Sequence, residues 1–86
     1  MYGIWIHENN TARRAKSKKE IKEHLKNGGE VGMEATSMFG NEFTGPATKE
    51  NVELYGPFLF VGPNPYEKRN FYGSIKLNRK GEVTCE

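Results

Sequence analysis

Apolar and polar side chains alternate most regularly near the two ends of the chain and lose that rhythm in the middle. Tyr2, Ile4 and Ile6 share one parity, and Trp5 and His7 the other. Successive strand residues point to opposite sides, so YGIWIHE (residues 2–8) predicts a strand with one apolar face and one mixed face. Val31, Met33 and Ala35 alternate with Glu34 and Thr36, predicting a second half-buried strand over residues 30–38. Phe71, Ile75 and Leu77 oppose Tyr72, Ser74 and Lys76 in NFYGSIKLN, and Val83 and Cys85 share one parity of EVTCE. These two segments, joined by NRKG with Gly81 placed for a left-handed turn position, predict a closing hairpin. Phe58–Val61 is apolar without a break, which predicts a central strand covered on both sides. Gly56-Pro57 marks its start or a bulge.

One segment switches to helical spacing. In SKKEIKEHLKNGG, Ser17 and Glu20 form a capping box, and Gly28-Gly29 can end the helix in the left-handed conformation. The predicted helix runs over residues 18–27. Its apolar stripe is only Ile21 and Leu25. Burying two such side chains yields roughly 3–6 kcal/mol. Ordering ten residues costs more, at roughly 1–2 kcal/mol each. The helix therefore has to lie on a sheet.

The remaining stretches read as connections. NNTARRAK (residues 9–16) is polar and basic. FGNEFTGPATKEN (residues 39–51) is turn-rich, with Phe39 and Phe43 expected inward and one helical turn at residues 48–51. GPNPYEKR (residues 62–69) exceeds an ordinary hairpin loop and is stiffened by Pro63 and Pro65. The expected order is β-α-β-β-β-β. This is an α+β fold, a single short helix packed on a four- to five-stranded antiparallel or mixed sheet, with residues 1–86 forming one small domain.

Composition changes this picture little; the placement of charge changes it more. A net charge of +2 conceals three blocks. Residues 1–29 carry seven basic and three acidic side chains, residues 30–60 one and five, and residues 61–86 five and three. RRAKSKK (residues 13–19) holds five cations in seven positions, where they oppose the dipole of the helix that follows. Clusters of this kind neutralise phosphates. Arg13, Arg14 and Lys16, with Lys68 and Arg69 from the proline-rich loop, are thus the candidate basic binding residues. The plain alternative is a set of solvated or mutually paired charges.

A ten-residue helix, about 15 Å long, covers one side of a sheet only. The other side would carry Trp5, His7, Tyr72 and Lys76, with Tyr66 at the loop tip, as a candidate aromatic face. Either residues 39–57 fold over that face or it is free for a partner. Catalytic signatures are weak. The glutamates at 30, 34, 42, 50 and 53 show no spacing that singles out a pair. Pro63 and Pro65 remove donors that a phosphate cradle needs. His7 and His24 are the only histidines and no HExxH motif exists, so no metal or cofactor is expected. His24 is expected to be an exposed helix residue, and Cys85 a small core residue. A lone cysteine excludes an internal disulfide framework. With no basic, apolar leader and no membrane-length apolar run, it predicts a cytoplasmic protein that does not enter membranes.

Brevity and dense charge are similar in style to small accessory proteins of bacteriophages and mobile elements, which implies a host cytoplasm. The likeness covers no motif and carries no residue over. The expected function is a non-enzymatic binding module acting through macromolecular contact. A protein partner or homodimer ranks ahead of nucleic acid. A small basic, metal-independent ribonuclease using Arg13, Arg14, Lys68, Arg69, Tyr66 and Tyr72 is the alternative.

Overall fold

Asn9 and Asn10 both have positive φ, at 51° and 64°. Asparagine tolerates this region well, and two such residues in succession make the two-residue turn whose twist suits a hairpin. The computed structural model of the chain, which describes residues 1–36 and 42–86, accordingly has a hairpin here. Strand β1 (Tyr2–Glu8) turns directly into β2 (Thr11–Arg14), with Glu8 opposite Thr11 and Trp5 opposite Arg14. The expected basic loop is therefore largely a strand.

Helix α1 (Lys18–Lys26) begins as predicted. The Glu20 backbone N–H donates to Ser17 Oγ at 3.2 Å, and Gly28 ends the helix at φ 83°. Strand β3 (Glu30–Ala35) pairs antiparallel with β1, and the two-residue β4 (Gly45–Pro46) pairs with β3. The predicted extension of β3 to Met38, and the position of Phe39, lie partly outside the described residues. A second helix, α2 (Lys49–Tyr55), replaces the single expected turn. Thr48 caps it by accepting from the Asn51 N–H at 3.2 Å, and Val52 anchors it in the core. Strands β5 (Phe58–Asn64), β6 (Lys68–Leu77) and β7 (Val83–Cys85) follow.

The fold is α+β, with two helices and a seven-stranded sheet among the described residues, in place of one helix and four or five strands. The sheet runs β4-β3-β1-β5-β6-β7, with β2 also on β1. It is antiparallel except where Tyr2 of β1 meets Phe60 of β5 in parallel. The difference from the expected order has two sources. The Asn-Asn turn converts a polar loop to a strand, and tertiary cover stabilises a short helix whose own apolar stripe is nearly absent.

GPNPYEKRNFYG is mostly strand as well. Gly62–Pro63 and Gly56–Pro57 are cis peptides. The β5–β6 ladder shifts register between Gly62 and Pro63, then continues to Asn64 opposite Lys68. A bulge of this kind lets proline sit in a ladder. The corner shrinks to Pro65, Tyr66 and Glu67.

One apolar cluster holds the molecule. Ile4 and Ile6 of β1, Val31 and Met33 of β3, Phe58 and Phe60 of β5, and Ile75 and Cys85 of β6 and β7 converge on Ile21 and Val52 of the helices. Phe43 stacks on Phe58 at 5.5 Å and on Tyr55 at 4.9 Å, so it packs inward as expected. Residues 42–57 thus cover the same side as α1 and leave the other side of the sheet to itself. Although β3 and β7 are far apart in strand order, both pack on α1 and line one cleft with it. The sheet is curled around its core, with the helices in the opening. Phe58–Val61 is not covered on both sides throughout: Leu59, on the outer side, is 57% exposed.

Candidate functional site

The outer side of the sheet is built by register. Opposite Trp5 on one neighbour stands Arg14, and on the other Gly32; opposite Gly3 stands Glu34, and opposite His7 stands Glu30. All these side chains share the parity that faces away from the helices. The Arg14 guanidinium lies over the Trp5 ring, 3.8 Å from its centroid. Stacking of this kind suits arginine, whose planar, weakly hydrated head tolerates an aromatic surface. Arg14 Nη2 also stands 2.9 Å from Glu34 Oε1. That oxygen and Arg14 Nη1 are both closed off from solvent, and neither makes a well-aligned hydrogen bond. The pair is held by charge and stacking more than by directed hydrogen bonds.

Gly3 explains how this cluster closes. A Cβ there would meet Glu34 Oε1 at 2.7 Å, Pro65 Cγ at 2.9 Å and Arg14 Nη1 at 3.0 Å. A glycine inside a strand admits close approach from above. Here it admits the Arg14–Glu34 pair together with the corner of the β5–β6 hairpin. Pro65 and Val61 are buried under this cover although they lie on the outer side. Arg69 fastens the corner, with Nε donating to the Pro65 carbonyl at 2.9 Å.

Beyond the cluster the face is open and apolar. Leu59 and Tyr72 are 57% and 52% exposed. Val61 opposes Tyr72 and Leu59 opposes Ser74, which makes Leu59 and Tyr72 diagonal neighbours on one surface. Tyr66, 64% exposed, projects from the hairpin tip. Lys76 lies farther along the same side and is paired with Glu86 at 2.7 Å. That lysine holds the Glu86 carboxyl below its ordinary range.

Of the aromatic-face residues named from sequence, Trp5, His7, Tyr72 and Lys76 do share this side, and Tyr66 stands at its margin. The five basic candidates do not form one patch. Arg13 points to the helix side, where Nε meets Glu8 and Nη1 meets Glu20, each at 3.0 Å. Its guanidinium pKa is raised, first by the hydrogen bond to Glu20 and then by that to Glu8. The Glu20 carboxyl is correspondingly lowered, first by Arg13 and then by the Lys16 backbone N–H, 2.8 Å away. Arg14 is on the outer side and occupied by Glu34. Lys16 lies between β2 and α1. Lys68 and Arg69 belong to the hairpin.

His24 is a correction. It is half-buried, and its Nε2 donates to the carbonyls of His7 at 2.9 Å and Glu30 at 3.0 Å, tying α1 to the ends of β1 and β3. Gly29 gives that ring its room: a Cβ there would meet it at 2.4 Å. On the outer side His7 Nδ1 stands 3.0 Å from Glu30 Oε1, and its ring lies over Gly32. Sequence reasoning missed Glu30, Glu34, Leu59 and Pro65. Gly3 and Gly32, glycines inside alternating strands, were the available signal of close approach. Cys85 is buried, and burial pushes its thiol pKa up, away from nucleophilic use.

Among the described residues, no group of three or more His, Cys, Asp or Glu could hold a metal ion, and no helix is long and apolar enough to cross a membrane. Comparison of the chain with protein-family models, curated proteins and solved structures finds no match to any of them.

Proposed function

We propose that the protein is a small non-enzymatic binding module that acts by protein contact through the outer side of its sheet, with a second copy of the chain as the first partner to test. One observation carries this reading. Leu59 and Tyr72, each more than half exposed, adjoin on a face whose arginine is already neutralised by Glu34. An apolar centre beside paired charges is the composition of a protein interface, where aromatic anchors dominate and free charge is depleted. Stacking of Arg14 on Trp5 pre-orders two side chains and lowers the entropy lost on association.

Nucleic acid draws less support from the same geometry. Arg13 and Arg14 are engaged by carboxylates, and a phosphate would have to displace Glu8, Glu20 or Glu34. The ribonuclease reading shares that difficulty at two of its three arginines, since only Arg69 has no carboxylate partner among the described residues. Light-scattering mass across a concentration series tests the proposal, with Leu59→Asp/Tyr72→Asp as the comparison. The wild type is expected to gain mass with concentration, and the double variant to stay at monomer mass with an unchanged melting temperature. A wild type of monomer mass throughout overturns self-association. A steep loss of nucleic-acid affinity with salt, at a log–log slope of about −3.5 to −4.5, would instead restore five phosphate contacts.

A further inference from the structure

The pairing of β7 leaves half of its backbone without a partner. Ser74 and Glu86 exchange both N–H···O bonds at 2.9 Å, and Asn78 N–H donates to the Glu82 carbonyl at 2.9 Å. In an antiparallel ladder such residues alternate with others whose backbone groups point the opposite way. Glu82, Thr84 and Glu86 therefore face β6, while Val83 and Cys85 turn their N–H and C=O groups to the free edge. β7 pairs with no strand other than β6 among the described residues. An exposed edge of this kind is a template for an added strand.

This edge borders a cleft of about 650 Å³ between β7, the C-terminal half of α1 and the Ala47–Thr48 turn. Leu25, Val83, Ala47 and Cys85 contribute apolar patches to a lining that is otherwise polar, and Lys22 and Lys26 stand on the α1 side of it. Lys18, Lys22 and Lys26 follow one another at four-residue spacing, which places them along one side of the helix. None of the three has an ion-pair partner among the described residues. Two glutamates also line the cleft: Glu30 stands 3.0 Å from His7 Nδ1, and Glu82 accepts from Asn78 Nδ2 at 3.2 Å, so among the described residues the lysines are the cleft's only attraction for an anion. Lys18 and Lys22 both act electrostatically on Cys85 and on Glu86 at the end of the same strand.

We propose that the free edge of β7, together with this cleft, takes an extended acidic peptide from a partner protein as an added strand. The Val83 and Cys85 backbone groups supply the ladder, and the lysines of α1 select carboxylates on one side of the peptide. Apolar side chains of the other parity enter the cleft between Leu25 and Ala47. Backbone pairing supplies affinity in such complexes, and alternate side-chain positions supply specificity. This site lies away from the Leu59–Tyr72 surface, so neither depends on the other.

The test uses the intact chain and labelled pentapeptides that are acidic at alternate positions and β-branched between them, read by fluorescence anisotropy at low salt. Binding is expected, with the largest amide shifts at Val83 and Cys85 in a nuclear magnetic resonance titration. Lys22→Glu/Lys26→Glu should weaken it by about tenfold or more, the size expected when rim attraction becomes repulsion. A peptide of the same sequence with alternate backbone nitrogens methylated should not bind, because it keeps its charge and loses its donors. Leu59→Asp/Tyr72→Asp should bind like the wild type. Absence of binding by the acidic set, equal binding by the lysine double variant, or equal binding of the methylated peptide overturns the proposal.

Discussion

The two sides of this sheet are made from the same strands and held by different physics. On the inner side Ile4, Ile6, Phe58, Phe60 and Ile75 are fully buried, and their contribution scales with the apolar area removed from water. On the outer side the alternate residues of β1, β2 and β3 form a charged, stacked cluster of Arg14, Trp5 and Glu34, and those of β5 and β6 stay open at Leu59 and Tyr72. Area is insensitive to which neighbour supplies it. A guanidinium over an indole, beside one carboxylate, depends on register at every step. The inner side should therefore dominate stability, and the outer side should govern specificity.

Neighbouring residues on β5 give the sharpest contrast. Phe60→Ala is expected to cost about 3–5 kcal/mol, as for other fully buried phenylalanines. Leu59→Ala should stay within about 0.5 kcal/mol, because the side chain is already exposed. Urea midpoints of the two variants check this, and similar shifts would erase the distinction between the sides.

Gly3→Val comes next. Its Cβ would press on Pro65 and on both partners of the Arg14–Glu34 pair, at a cost of about 1–3 kcal/mol. Loss of the Trp5–Arg14 stack in the same variant, seen as a change in indole fluorescence, would locate the strain on the outer side. An unaltered melting curve would mean that the hairpin corner is free to lift.

A double-mutant cycle over Arg14→Ala and Glu34→Ala is expected to give a coupling of about 1 kcal/mol, at the upper end for a pair that keeps some exposure. A coupling near zero would reduce the pair to coincidence of position.

The smallest effect lies where β2 passes into α1. Glu20 has its folded carboxyl pKa lowered by Arg13 and by the Lys16 N–H. Its contribution is present above the unfolded carboxylate pKa and is lost as pH falls through the lower folded value. Glu20→Gln should flatten this part of the acid limb in melts taken below about pH 4.5. An unchanged limb would show that the interaction is equally strong in the unfolded chain.

The inner side was legible in the sequence because period two and apolarity coincide there. Ile4, Ile6, Val31, Met33 and Ile75 declare their face with no knowledge of their neighbours. The α1 cap was legible too, since Ser17 and Glu20 act within one turn. The cluster on the outer side was not. Arg14 reads as part of a basic run until β2 is known to pair with β1, and Glu34 reads as an isolated carboxylate until β3 is set on the opposite edge. Asn9-Asn10 carried the hairpin in two residues whose left-handed preference is weaker than that of Asn-Gly. Pro63 argued for a loop because a proline lacks a ladder donor, and the bulge beside it removed that objection. The helix α2 depends on Val52 entering a core that only the curled sheet provides.

The central proposal is that the outer side, at Leu59 and Tyr72, is a protein-contact surface, with a second copy of the chain as the first partner to test. Backbone amide spectra of the nitrogen-labelled protein, recorded through a dilution series, test it directly. Concentration-dependent shifts are expected at Leu59, Val61, Tyr72 and Ser74, with the amides of Ile21 and Val52 unmoved. Spectra that do not change with concentration, or changes confined to α1 and α2, would contradict the account.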